Sequence, residues 1–140
     1  MLPLRHARFW RSADLALLFV VFVSALMPTI WIWKDHGGFS WLVGADKLLH
    51  AVTFFVLLIW FSGQYRRPSY WRVAAGLMTF GILIEICQSL VGYRSADWRD
   101  IGANTAGIVA GLMVALAGLG GWCLRVEDWY LARTTGTGID

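Results

Sequence analysis

In a 140-residue chain that is 58% hydrophobic and only 15% charged, the side chains able to do chemistry are few and grouped. Asp46, Lys47 and His50 stand together, and on a helix Asp46 and His50 share a face at i, i+4. Glu85 and Gln88 follow at i, i+3 within an apolar run. Arg94, Ser95 and Asp97 occupy a short polar link. Asp100 and Asn104 are again at i, i+4, and Asp97 joins their face if the helix starts there. Ionisable groups in a membrane cost about 2.5–3.5 kcal/mol each on insertion scales, which makes them functional candidates by default. Glu85 lies six residues before Val91, roughly 9 Å below the helix end at helical rise. At that depth it is either protonated or paired with Arg94, Lys47 or a protonated His50.

Two kinds of chemistry suit such a set. One is recognition of a polar headgroup at the membrane surface. The other is hydrolysis or transfer on a lipid headgroup, with His50 or Glu85 as general base and Arg94 holding a phosphate. A third reading is architectural, with the polar groups tying helices together at about 0.6 kcal/mol per hydrogen bond. The spacing contains no phosphate loop, dinucleotide glycine pattern, GxSxG, HExxH or paired-cysteine motif. A zinc or magnesium site from His50, Glu85 and Asp46 has only weak support in the spacing, so no metal and no cofactor is expected.

The elements that position these residues are four apolar blocks, and the sequence predicts helices at about 13–33, 46–63, 72–91 and 100–124. A hydrocarbon core of about 30 Å needs about 20 helical residues, so the second block is short unless Asp46 and Lys47 begin it and the chain continues towards Gln64. Continuous apolar blocks without period-two alternation exclude a barrel. The fold class is therefore all-α, an integral membrane four-helix bundle, with one domain over residues 1–133 and a flexible Thr/Gly-rich tail over 134–140.

The net charge of +3 is distributed as in a membrane protein rather than a nucleic-acid binder. Arg5, Arg8, Arg11, Arg66, Arg67, Arg72, Arg125 and Arg133 fall on one side, eight of the twelve basic residues. Lys34, Lys47, Arg94 and Arg99 fall on the other, matched in number by Asp35, Asp46, Asp97 and Asp100. The positive-inside rule then places both termini in the cytoplasm. Trp10, Trp60, Trp71, Trp122 and Trp129 fall at the inner helix ends, and Trp31, Trp33, Trp41 and Trp98 at the outer ones, as an aromatic belt would. The first block also reads as a cleavable signal peptide, but its apolar run past Pro28 to Trp33 suits a span better.

The candidate cluster thus belongs to the outer half, and no comparable polar set is expected in the cytoplasmic half. Asp14 reads there as a first-turn residue favoured by the helix dipole. Ala103, Gly107, Gly111 and Ala115 recur every four residues, a small-residue stripe for close helix packing within the bundle or across a homo-oligomer. Cys87 and Cys123 lie in different helices near opposite surfaces and are not expected to pair.

The run Asp46-Lys47-Leu48-Leu49-His50, the Glu85-x-x-Gln88 pair, and Arg94-Ser95-Ala96-Asp97 leading through Asp100 to Asn104-Thr105-x-Gly107 resemble, in order, the hallmark segments of VanZ-like membrane proteins. The resemblance covers about residues 40–115. It implies a multi-pass protein of the bacterial inner membrane and a family in which some members are linked to resistance against the glycopeptide teicoplanin. The family's recurring polar positions fall here on Asp46, Lys47, His50, Glu85, Gln88, Arg94, Asp97, Asp100 and Asn104. The expected function is that of an accessory envelope protein whose outward pocket binds a lipid-linked or amphiphilic headgroup, with membrane lipids as partners and no nucleic acid. The alternative is a small intramembrane hydrolase or transferase.

Overall fold

The computed structural model describes residues 1–27, 39–91 and 97–135. Helix α1 spans Ala7–Leu26, α2 Phe39–Ser62, α3 Tyr70–Leu90, α4 Trp98–Val114 and α5 Trp122–Thr135. No strand occurs among the described residues. A single 3-10 turn at Arg67–Ser69, with Pro68 inside it, reverses the chain between α2 and α3, because proline's fixed φ suits a helix start.

Several boundaries differ from the sequence expectation. The basic lead before residue 13 is already helical, so α1 begins at Ala7. The second helix starts before Asp46, and at 24 residues α2 has the length to cross a bilayer that the block 46–63 lacked. Asp46 and Lys47 therefore stand inside a helix rather than at its first turn.

The fourth block is not one helix to residue 124. After Val114 the chain widens into a π-turn at Ala115–Leu119, where the Gly120 amide donates to the Ala115 carbonyl five residues back at 3.1 Å. Gly118 at φ +131° and Gly121 at φ +71° then end the helical path, conformations that side-chain-bearing residues seldom adopt. The freed carbonyls are capped by guanidinium groups. Arg67 donates to Leu116 O, and Arg125 to Gly118 O and Leu119 O, each at 3.1 Å. Helix α5 follows and takes in Thr134, which was expected in the tail and whose hydroxyl lies 3.2 Å from Tyr130 O.

Within the bundle, the most extensive contact is between α2 and α4, with α3 packed on both and α1 on α3. Phe54, Leu57 and Leu58 of α2, Leu77 and Ile84 of α3, and Ile108 of α4 form the main core. The small-residue stripe makes the α2–α4 seam. A Cβ on Gly107 would stand 2.0 Å from the Ala51 carbonyl oxygen, and one on Gly111 3.0 Å from Leu58 Cβ. Both glycines are buried against α2 of the same chain, the intramolecular use of such a stripe.

Large apolar side chains cover the outside, including Phe9, Leu15 and Phe19 of α1, Leu48, Leu49 and Val52 of α2, and Ile86 and Leu90 of α3. Apolar surface on this scale requires lipid rather than water. Three segments among the described residues are long and apolar enough to cross a membrane: Ala7–Leu26, Arg67–Leu90 and Trp98–Thr134.

Candidate functional site

The α2–α4 seam brings the polar residues of those helices together at one end of the bundle. The Lys47 ammonium donates to Asp97 Oδ2 at 2.8 Å and also to Asp100 Oδ1. One helical turn further along α2, His50 Nδ1 lies 3.1 Å from Asn104 Oδ1, and His50 Nε2 lies 3.9 Å from Asp100 Oδ2. Asp46, four residues before His50, presents a carboxylate oxygen to the same place. One ligand atom each from Asp46, His50 and Asp100 falls within 4.8 Å of the others.

Asp97 also caps α4, accepting from the Arg99 amide at 2.9 Å, so one carboxylate starts the helix and receives the lysine of its neighbour. These two hydrogen bonds, Lys47's first, hold the Asp97 carboxyl below the usual carboxylate range. Asp100 and Asn104 are buried on the face of α4 that meets α2.

Helix α3 joins the group through its carboxylate. Glu85 is buried, and its Oε2 accepts from the Asp97 amide at 3.3 Å. The first turn of α4 thus links Glu85 to Lys47 and His50. Gln88, the other α3 candidate, is buried but turned elsewhere, with its amide donating to Ala25 O of α1 at 2.8 Å. It ties α3 to α1. Arg94, expected in the same group, lies outside the described residues.

The opposite end holds a second polar set that the sequence reading did not anticipate. Asp14 is not in the first turn of α1; it is buried, accepting from Trp60 Nε1 at 2.8 Å and from Gln64 Nε2. Glu127 of α5 is buried too, accepting from Trp10 Nε1 at 2.9 Å and from the amides of Arg5 and His6 at 2.8 and 3.2 Å. Trp10, Trp60 and Trp122 pack edge to face at 5.6–5.8 Å between centroids. Three tryptophans assigned to the interfacial belt are therefore an internal joint, while Trp71, Trp98 and Trp129 are exposed. All of this clamps the N-terminal segment and α5 onto the end of α2. A signal existed in the i, i+4 pair Trp60 and Gln64 opposite a lone aspartate. Glu127 had none, because it lay beyond the last expected helix.

Cys87 and Cys123 are both free thiols, as their separation in the sequence implied. A groove of about 460 Å³ lies between α1, α2 and α3, lined by Leu18, Phe61, Tyr65, Arg72, Leu77 and Phe80 among others, and away from the Lys47 group.

Apolar helices around a buried, charged seam define the class, a helical membrane protein with a polar group at one end. Residues 4–119 match the family model described as VanZ/LLP1, and the chain belongs to the VanZ/LLP1 family. The match reaches beyond the segments that carried the resemblance, taking in α1 and the π-turn. No curated protein and no solved structure matches the chain.

Proposed function

We propose that this protein is an accessory protein of the bacterial inner membrane that binds a lipid-linked or amphiphilic headgroup at the Lys47 end. In this reading α2 also crosses the bilayer, making four spans. Both termini are cytoplasmic and the Lys47 group faces the outer surface. The arginines support that orientation, since Arg5, Arg8, Arg11, Arg66, Arg67, Arg72, Arg125 and Arg133 are all exposed.

The observation that carries the proposal is the convergence of Lys47, His50, Asp97, Asp100 and Asn104 across one seam. Structural ties need one or two hydrogen bonds. Here two carboxylates, an ammonium, an imidazole and an amide share one site, at a desolvation cost that packing alone does not require. Ligand-binding residues in this reading are Asp46, Lys47, His50, Glu85, Asp97, Asp100 and Asn104, with Arg94 joining them from the adjoining link. Gln88 acts through helix placement.

The test is retention of headgroup-bearing lipids by the purified chain, compared among wild type, His50→Ala and Glu85→Ala. Loss in the variants with folding intact is expected; equal retention by all three removes the site. A teicoplanin susceptibility assay on the same variants asks whether the amphiphile is the glycopeptide.

One arrangement favours catalysis as a second reading. His50 is oriented through Nδ1 by Asn104 and keeps Nε2 towards Asp100, as a positioned base would. Product formation from a lipid headgroup, lost in His50→Gln, separates a hydrolase or transferase from a binding protein.

A further inference from the structure

Asn104 Oδ1 can only accept, so the Nδ1 facing it at 3.1 Å carries the imidazole proton. In the neutral ring that leaves the Nε2 lone pair pointing at Asp100 Oδ2, 3.9 Å away, with a carboxylate oxygen of Asp46 within 4.8 Å of both. One imidazole nitrogen and two carboxylate oxygens, from two helices, therefore converge on one place. Asp100 is only 5% exposed, and Lys47 engages its other oxygen, Oδ1, so Oδ2 is aimed into the gap with no donor of its own. The arrangement is that of an oriented metal ligand, in which one ring nitrogen is fixed by a carbonyl and the other is presented.

The geometry points to a divalent transition-metal site formed by Asp46, His50 Nε2 and Asp100 Oδ2, with Asn104 as the residue that orients His50. The imidazole argues against magnesium and calcium, which take oxygen ligands. One nitrogen and two carboxylate oxygens suit zinc. Tetrahedral ligands at about 2.1 Å stand roughly 3.4 Å apart, so the 3.9 Å gap closes by about half an ångström. Asp46 and His50, one turn apart on α2, and Asp100 on the first turn of α4 would supply three positions. The fourth remains for water or a ligand oxygen.

Such a cation also changes what the site can bind. Asp46 and Asp100 would each give a carboxylate oxygen to the ion, so their negative charge is spent on the metal. Two added positive charges, with one open coordination position, convert the group into a site for a phosphate-bearing headgroup. This deepens the headgroup reading and rests on it for the occupant of the open position.

The test uses the full chain in detergent, stripped with a chelator and titrated with zinc against a chromogenic competitor. One zinc per chain is expected. Affinity should fall by tenfold or more in His50→Ala and in the isosteric Asp46→Asn, and about 10–100-fold in Asn104→Ala. Cys87→Ser should leave binding unchanged. Cobalt substitution supplies a second readout, a visible absorption band that disappears in Asp46→Asn. Absence of stoichiometric zinc, or unchanged affinity in both His50→Ala and Asp46→Asn, overturns the site. Headgroup lipid retained in excess chelator by a chain that binds no zinc overturns the metal while sparing the headgroup reading. Stoichiometric zinc with no lipid retained supports the metal and overturns the headgroup reading.

Discussion

Replacing Gly107 by alanine tests the seam on which the polar group depends. The added Cβ would stand 2.0 Å from the Ala51 carbonyl oxygen and 2.9 Å from its carbon, where ordinary contact begins near 3.4 Å. The obstacle is backbone, so α2 and α4 must separate by more than an ångström rather than turn a side chain aside. Overpacking of this kind costs about 1–3 kcal/mol, and rigid backbone on the far side places Gly107→Ala near the top of that range. Alanine's better helix propensity returns roughly 0.5–1 kcal/mol, leaving a net loss of about 2 kcal/mol. Gly102→Ala, on the same helix with nothing within 4 Å of the new Cβ, is the matched control. It receives the propensity gain alone, so the two variants should differ by about 2–3 kcal/mol. Reversible unfolding in mixed detergent micelles measures this difference. Because His50 adjoins Ala51 and Asn104 lies one turn from Gly107, the same variant should also weaken ligand retention at the Lys47 end. Equal stability of Gly107→Ala and Gly102→Ala would refute the close crossing.

Lys47→Met leaves Asp100 buried without its cation and should cost about 3 kcal/mol, the low end for a broken buried pair because Lys47 reaches water. Lys47→Met combined with Asp100→Asn should recover most of that loss in the same unfolding assay. Asp14→Ala strands the Trp60 and Gln64 donors at the other end, and a loss of about 2–6 kcal/mol is expected at about 1–3 per orphaned group, without change at the Lys47 site. Asp97 should titrate below its ordinary value of 3.8. The sign follows from the lowered folded pKa: its stabilisation is present above the unfolded value and is lost as pH falls through the folded one. Carboxyl NMR titration of wild type and Lys47→Met checks this, with the midpoint rising in the variant.

Much of this arrangement was legible in the sequence because helix period and membrane cost act locally. The i, i+4 spacing of Asp46 with His50 and of Asp100 with Asn104 places each pair on one face, and the structure sets the two faces against each other. The Gly107 and Gly111 stripe likewise announced a close seam, though not which helix would fill it. What failed depended on contacts between distant residues. Gln88 shares a turn with Glu85, yet it reaches back to Ala25 of α1, a pairing that no spacing encodes. Apolar character alone carried the fourth helix to residue 124, although Gly118, Gly120 and Gly121 marked the break. Missing that break hid α5, and with it Glu127 and the tryptophan joint.

A structure determined in a lipid nanodisc would test the proposed site most directly. Headgroup recognition predicts non-protein density over Lys47, His50 and Asp100, between α2, α3 and α4. The same side chains closed on one another, with lipid only along the outer helix faces, would contradict it.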